Sequence, residues 1–495
     1  MITVSSVEQE TAKSPKRRLE NRLNDLPWKE WLIFQKSFFR LSDDNVLFKN
    51  IIEFFTKTYR ADGHPSRVLI LSFDHCSSFV YQSARILEQE TFESKNLKDW
   101  PTKKYKSKDF DLLVLDMRAA EFLRGQNIVE LRENLISFYA ECSGILRPSS
   151  FCAVLSCEMS YMLEEKEQRY PLPWLLASSA RSNFRLRDEK VGIDANAESE
   201  ILYVNILQAV DEIGPMVSPA DIVDIAIGNT ASREQWIIPR PKSRQKKEIL
   251  HPAKFPEDLV TRFLCELSKP GDIILDPMGG TGSVAVASLQ TERKPVIVEL
   301  DENWVDIAQE RILGLTCSPL LNEVNKSWFL AQGDARDVLE LIPEEFRPIN
   351  YTVTSPPYWR ILHNAGMHEK GEGQKARRAK GLATTYSDSM KDLGNIRGYE
   401  QFINDLAVIY ENISQIAASG AILTIVTKNV KYERAVYPIA WDLVFRLCNK
   451  QRGLFEYAGT TFWCQDDIRL KPFGMGCDWI SNILHHYCIH LRVRK

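Results

Sequence analysis

The sequence that decides the fold is GDIILDPMGGTGSVAVAS, residues 271–288. Its apolar run predicts a buried strand that ends at Asp276-Pro277, and the small residues after Gly282 predict a helix. The glycines between them allow a tight turn, which brings backbone N–H groups close to a ligand at the N-terminus of that helix. The residues of this turn that we expect to contact the ligand are Asp276, Pro277, Gly279, Gly280, Gly282 and Ser283.

Two carboxylates follow the next strands of the predicted sheet. Glu299 closes the strand PVIVEL, where a carboxylate can hold the two hydroxyls of a ribose. Asp334 follows the strand WFLAQ and can face the amino group of an adenine. The glycine turn lacks a G-K-[ST] sequence, which argues against a triphosphate. The pattern favours a ligand with ribose and adenine groups over ordinary turns at strand ends.

A second turn, TSPPYW at 354–359, comes directly after the apolar strand YTV. Pro356 and Pro357 cannot donate to a sheet, so they end the strand and fix a rigid, extended turn. The carbonyl groups of Ser355 and Pro356, with the Ser355 hydroxyl, can then bind an exocyclic amine. Tyr358 offers a flat face to a base. The alternative is a surface turn or a polyproline ligand.

Together these segments resemble the S-adenosylmethionine (SAM)-dependent amino-methyltransferases of DNA, which modify cytosine N4 or adenine N6. DPMGGTGS resembles their cofactor loop, with Met278 in place of the usual aromatic residue, and TSPPYW resembles their catalytic motif. VIVELDENWVDIAQERI and GDARD are similar to the segments that carry the ribose-binding and adenine-binding acids. The resemblance covers about residues 248–495. HPAKFPEDLVTRFL (251–264) is similar to the segment that holds the methionine end of the cofactor, which implies contacts from His251, Pro252 and Phe255.

The resemblance implies SAM as the cofactor, duplex DNA with a flipped base as the partner, and a reaction that needs no metal. Serine at the first position of the catalytic motif is associated in this family with cytosine N4, so we expect N4-methylcytosine as the product. Adenine N6 methylation, RNA base methylation and a non-catalytic nucleic-acid scaffold are the alternatives. Methylation of a cytosine ring carbon is excluded because the motif has no cysteine. The C-terminal HHYCIH (485–490) fits a closing strand better than a metal site.

An internal repeat links the two halves of the chain. Residues 134–158 are similar in pattern to 403–429, and YPLPW at 170–174 is similar to YPIAW at 437–441. In the first pair, each segment predicts a helix that ends in a turn and is followed by a buried strand, although shared α/β patterning also produces such similarity. Where the second half has its catalytic motif, the first has LDMR (115–118), without a proline. The first copy is therefore predicted to lack both cofactor and catalysis.

The predicted fold class is α/β, with two Rossmann-like methyltransferase domains built on doubly wound, mostly parallel sheets. Residues 1–245 form the degenerate domain, with an N-terminal helix from the aromatic run 28–39, a helix over 76–90 and a basic linker. Residues 246–495 form the catalytic domain. The repeat predicts an intrachain pseudo-dimer, and the sequence sets no oligomeric state beyond it.

Composition places limits on the remaining classes. The 495 residues carry 63 Lys+Arg against 66 Asp+Glu, a net charge of −3, which excludes a histone-like polycation but allows a local basic groove. No apolar run approaches the roughly 20 residues of a membrane span, and the N-terminus is polar. The 10 cysteines form no C-x-x-C pair and are typical of a reducing compartment, so we expect a cytoplasmic protein. The polar insertion 360–394 is either a DNA-contacting lid or a surface loop.

Overall fold

A computed structural model of the chain describes most of both halves. Several predicted features lie outside the described residues, among them His251, Pro252, Phe255 and residues 361–388 of the polar insertion. The described residues are 23–41, 43–73, 85–92, 105–118, 127–163, 165–194, 201–210, 224–237, 256–316, 327–360, 389–432, 435–465 and 483–495.

The first half forms a seven-stranded sheet with helices on both faces. The strands stand in the order β1-β8-β9-β5-β4-β2-β3, and β9 alone runs antiparallel to its neighbours. A short hairpin, β6–β7, leaves the end of β5. The elements are α1 (Trp28–Phe34), β1 (Phe38–Leu41), α2 (Asp44–Phe55), β2 (Arg67–Phe73), β3 (Ile86–Phe92), β4 (Phe110–Asp116), α3 (Ile128–Ile145), β5 (Leu146–Cys157), β6 (Met159–Leu163), β7 (Lys166–Tyr170), α4 (Leu172–Ser179), β8 (Phe184–Asp194) and β9 (Ile201–Ala209).

The second half repeats this plan with one more strand. Its order is β10-β18-β19-β15-β14-β11-β12-β13, and again one strand, β19, runs antiparallel to its neighbours. The elements are β10 (Trp236–Ile237), α5 (Glu257–Leu267), β11 (Ile273–Asp276), α6 (Ser283–Gln290), β12 (Lys294–Glu299), α7 (Glu302–Thr316), β13 (Phe329–Gln332), α8 (Val338–Leu341), β14 (Ile349–Thr354), α9 (Tyr399–Ile416), β15 (Ala417–Thr427), β16 (Val430–Tyr432), β17 (Ala435–Tyr437), α10 (Ile439–Leu447), β18 (Phe455–Cys464) and β19 (His485–Val493).

The two sheets agree in detail as well as in strand order. Each has a register shift at the same place, between Phe110 and Leu112 on β4 and between Ile349 and Tyr351 on β14. Each sends a hairpin, β6–β7 or β16–β17, from the strand that follows. The predicted α/β class with mostly parallel sheets is confirmed. The predicted boundary near residue 245 lies outside the described residues, and β10, which precedes it, already belongs to the second sheet.

Two predicted helices differ from the structure in the first half. The helix predicted over 76–90 is wrong at its C-terminal end, because Ile86–Phe92 is strand β3, paired in parallel with β2. The aromatic run 28–39 is helical only as far as Phe34, and Phe38 already belongs to β1. In both cases pairing with a neighbouring strand decided the conformation. Within the described ranges, no helix is long and apolar enough to cross a lipid bilayer.

The two halves share one hydrophobic core. Trp174 and Trp441, each the third residue of its helix, are fully buried, and their rings stack at 6.2 Å between centroids. They belong to one continuous cluster of buried side chains from both halves. Beside them the buried Arg181 guanidinium of the first half lies 3.0 Å from Asp442 of the second. The halves therefore pack as an intrachain pair, with equivalent helices facing each other.

Trp174→Ala should destabilise the whole chain by about 3–5 kcal/mol, because it removes a large aromatic side chain from this shared core. Chemical denaturation followed by fluorescence and circular dichroism measures the loss. Val129→Ala on α3, where the valine is 55% exposed, is the control and should leave the midpoint nearly unchanged. Two separate transitions, of which only one moves in Trp174→Ala, would contradict a common core.

Candidate active site

The glycine turn between β11 and α6 has a backbone that only glycine fits well. Gly280 and Gly282 have φ angles of 52° and 73°, in the left-handed region. A Cβ atom on Gly279 would lie 2.2 Å from Cγ2 of the buried Ile297. The turn is thus held against β12, where the Gly279 N–H donates to the Val298 carbonyl at 2.9 Å.

Asp276 joins this turn to the second predicted motif. Thr354 Oγ1 donates to Asp276 Oδ1 at 2.8 Å, and the Met278 N–H donates to the same oxygen at 3.1 Å. Burial, only partly offset by these hydrogen bonds, raises the pKa of Asp276 to about 7. Because Thr354 directly precedes Ser355, the bond fixes the start of the proline turn relative to the glycine turn.

Glu299 lies at the end of β12, beside the glycine turn. Its Oε2 accepts the Gly280 N–H at 2.7 Å, and its Oε1 accepts the Asp301 N–H at 2.9 Å. Burial raises the pKa of Glu299, although these bonds act in the opposite direction. A carboxylate has about four acceptor positions, so backbone donors do not exhaust the capacity of Glu299 to accept hydroxyl groups.

Asp334 is held by a neighbouring arginine. Arg336 donates from Nε to Asp334 Oδ1 at 2.9 Å and from Nη2 to Oδ2 at 2.7 Å, and its Nη1 lies 2.7 Å from Asp405. Partial burial raises the pKa of Asp334, but the Arg336 hydrogen bonds outweigh it, so the net pKa is lowered. Asp334 is therefore a fixed anion at the edge of the sheet.

One cavity brings these residues together. It is bounded by the glycine turn on one side and by Ser355, Pro356 and Pro357 on the other. The Ser283 hydroxyl in its wall is buried and has no hydrogen-bond partner among the described residues. A glycine cradle, an unpaired hydroxyl and two carboxylates fit a ligand such as SAM. The predicted site residues that line the cavity are Asp276, Pro277, Gly279, Gly280, Ser283, Glu299, Asp334, Ser355, Pro356 and Pro357.

Some predicted residues do not line this cavity. Gly282 sits one step inside the turn, where its Cβ would meet Ala308 at 3.0 Å. Tyr358 is 7% exposed, and its ring lies 5.9 Å from that of His486. Its predicted stacking role therefore stays a prediction. The closing strand predicted at 485–490 is confirmed as β19, in which His490 bonds to Thr424 at 2.9 Å.

Sequence reasoning missed part of the cavity wall. Trp304 lies in the first turn of α7, and Lys391 and Leu393 come from the end of the long insertion. Trp304 is five residues after Glu299, in the first turn of the helix that follows β12. A side chain in that turn lies near the carboxyl end of the strand, so the sequence position of Trp304 indicated a place in the cavity wall. No comparable signal marks Lys391 or Leu393.

The equivalent place in the first half is filled by an ion-paired arginine. The matching registers of β4 and β14 place Asp116 where the second half has Ser355. Arg118 Nη2 lies 2.7 Å from Asp116, and its Nη1 lies 2.7 Å from Asp44. This cluster occupies the carboxyl edge of the first sheet with groups of the chain itself. A degenerate first domain remains our interpretation of that arrangement.

Comparison with known proteins identifies the relatives of this region. The DNA methylase family matches residues 137–310, which include the glycine turn and Glu299 but end before Ser355. The matched region therefore begins in the first half, well before the 248–495 expected from the motifs. The two ranges overlap at residues 248–310, which include the glycine turn.

Two curated relatives match shorter segments. The chain is 29% identical over 79 residues to the Type II methyltransferase M.BglII of Bacillus subtilis, or 16% of this chain and 22% of that protein. It is 42% identical over 64 residues to the Type II methyltransferase M.Cfr9I of Citrobacter freundii, or 13% and 21% respectively. The chain thus spans about a fifth of the length of each. Among solved structures, the chain is similar to the crystal structure of TrmN from Thermus thermophilus. The two are 14% identical with a TM-score of 0.29, and the match covers 62% of this chain and 60% of that one. This similarity is too distant to support an argument.

Proposed function

We infer from the match of residues 137–310 to the DNA methylase family, and of shorter segments to two Type II methyltransferases, that this chain methylates an exocyclic amine of DNA with SAM, and we propose cytosine N4 as the target. The observation that carries the proposal is the single cavity shared by the glycine turn and the Ser355-Pro356-Pro357 turn. Two such turns on one cavity can hold a methyl donor and its acceptor close together, which is the main requirement of a transfer reaction.

The cofactor half of the cavity is assigned to the residues of the glycine turn and the two acids. Glu299 accepts the two ribose hydroxyls on the free sides of its carboxylate oxygens, and the anchored Asp334 accepts the adenine amino group. The Ser283 hydroxyl, which is buried and has no partner in the described part of the chain, is assigned to the amino-acid end. Bound SAM supplies a methyl group on a positively charged sulfur, which is electrophilic without help from a metal.

The acceptor half holds the amine to be methylated. Its lone pair is delocalised into the base, so hydrogen-bond acceptors for its two hydrogens favour the pyramidal, nucleophilic form. We assign this work to the Ser355 hydroxyl and the Pro356 carbonyl, because both belong to a turn that the Thr354–Asp276 bond fixes. The base must leave the duplex to reach them, at a cost of a few kcal/mol. Serine in the first motif position is the reason for choosing cytosine N4 over adenine N6.

Label transfer from methyl-tritiated SAM tests the proposal. Unmethylated, PCR-amplified genomic DNA should acquire label in proportion to enzyme turnover, and its RNA transcript should not. Calorimetry with SAM alone should show saturable binding at one site. Label on RNA alone would contradict the choice of DNA, and the absence of any saturable heat would contradict an enzyme.

Affinity for SAM should rise with pH up to about 7, because Asp276 in the cavity wall titrates there. Below its pKa of about 7 the side chain is protonated, and a neutral carboxyl attracts the cationic ligand less than a carboxylate does. Binding at lower pH should therefore release a proton, seen in calorimetry as heat that depends on the ionisation enthalpy of the buffer. Asp276→Asn should remove that dependence. The same proton release in the variant would assign the titration to another group.

A further inference from the structure

A lysine, Lys428, directly follows the strand next to the proline turn. β14 and β15 are parallel, and Thr354 pairs with Ile425. Ser355 to Pro357 follow Thr354, and Lys428 stands three residues after Ile425, so all of them leave the same edge of the sheet on strands about 4.8 Å apart. Sequence reasoning assigned no role to this lysine.

On its other side Lys428 faces the ring that contacts the catalytic motif. β15 and β19 are antiparallel, and Thr427 pairs with Tyr487, which places Lys428 opposite His486. The centroid of the His486 ring lies 5.9 Å from that of Tyr358. Burial is the main cause that lowers the pKa of His486, and the positive charge of Lys428 is the second. Lys428 therefore lies between the proline turn and the histidine beside it.

No carboxylate in the described part of the chain balances the charge of Lys428. The contrast is Lys431, three residues later, whose Nζ lies 2.8 Å from Asp188 of the first half. Lys428 is partly buried, and burial together with the Lys431 ammonium lowers its pKa to about 8. An unpaired, partly desolvated cation is costly, and such groups concentrate at sites where a ligand completes them.

The chemistry of an ammonium group limits what that ligand is. It has three donors and no acceptor, so it binds an anion or an oxygen or nitrogen lone pair. We propose that Lys428 binds the target nucleotide, donating in its charged form to an acceptor next to the amine that Ser355 and Pro356 hold. This inference rests on the proposed function. The acceptor is either an atom on the edge of the base or an oxygen of its phosphate.

Lys428→Met tests the role in the full-length protein. Losing a hydrogen bond from a charged group should lower kcat/KM for DNA roughly 10- to 100-fold while the Kd for SAM stays within twofold. Because the variant also removes an unpaired cation, its Tm should be equal to or above that of the wild type. Lys294→Met is the matched control, because Lys294 is exposed at the amino end of β12, on the opposite edge of the sheet. The Lys294→Met protein should be as active as the wild type.

Two further measurements define the contact. A plot of log DNA affinity against log salt should lose about one unit of slope in Lys428→Met if the acceptor is a phosphate, and keep its slope if it is the base. The wild-type rate should fall above a pH of about 8, where Lys428 loses its proton, and Lys428→Arg should move that fall to higher pH. Among the described residues, the other titratable groups that interact electrostatically with Lys428 are Lys431, His485 and His486.

The outcomes separate this inference from the function on which it rests. A wild-type rate that rises through pH 8, or a fully active Lys428→Met protein, would overturn the role of Lys428 and leave the proposed function standing. A wild-type protein that binds SAM but transfers no methyl group to DNA would overturn both.

Discussion

Replacing Ser355 by alanine should lower kcat for methyl transfer roughly 10²- to 10³-fold, the range found when one positioned polar contact to a reacting group is removed. The hydroxyl is one of two acceptors that we assign to the target amine, and the backbone of its turn is fixed by the Thr354–Asp276 bond at 2.8 Å. The substitution therefore removes the acceptor and leaves the turn in place. Single-turnover reactions with labelled SAM measure the chemical step directly.

The affinity for SAM separates the two halves of the cavity. Ser355→Ala should bind SAM as the wild type does, because the cofactor contacts come from the glycine turn and the acids. Ser137→Ala, on the exposed face of α3 in the first half, is the matched control and should change neither quantity. If Ser355→Ala lost SAM binding together with turnover, Ser355 would belong to the cofactor site.

Glu299→Ala should raise the Kd for SAM by about 10² or more. Hydrogen bonds to a charged group contribute about 1.5–3 kcal/mol each, and the carboxylate is assigned two of them to the ribose. The variant also leaves the N–H groups of Gly280 and Asp301 without their acceptors at 2.7 and 2.9 Å, so the turn itself loses order. Calorimetry measures the affinity.

Glu302→Ala is the matched control for this variant. Glu302 is an exposed acid in the first turn of α7, three residues after Glu299, and its removal should leave the Kd for SAM unchanged. At saturating SAM, the Glu299→Ala protein should regain much of its kcat, because its defect is in binding. Unchanged affinity in Glu299→Ala would remove the acid from the ribose site.

The parts of the site that are local in sequence were predictable. The glycine turn, Glu299 and Ser355 each follow an apolar strand, and parallel strands bring their carboxyl ends to one edge, so such residues meet once the sheet forms. Lys428 was missed because its place depends on which strands become neighbours. Lys428 approaches the proline turn only through the pairing of β14 with β15.

The errors in the first half have a similar cause. ILEQETF, at 86–92, combines good helix formers with an alternating pattern, and pairing with β2 makes it an edge strand. The repeat was visible as pattern, but the stacking of Trp174 on Trp441 was not, because periodicity tells which side chains are buried and not what they pack against.

The identity of the methylated nucleoside tests the central claim most directly. DNA incubated with the protein and SAM is digested to nucleosides, which are separated and weighed by mass spectrometry against authentic standards. We predict N4-methylcytosine, formed by the wild type and lost in Ser355→Ala. If the product were N6-methyladenine, the shared cavity would still be the methyl-transfer site, but the target base would be adenine and not cytosine. A product methylated on a ring carbon, or no methylated nucleoside from a protein that binds SAM, would contradict the claim that this cavity transfers a methyl group to an exocyclic amine.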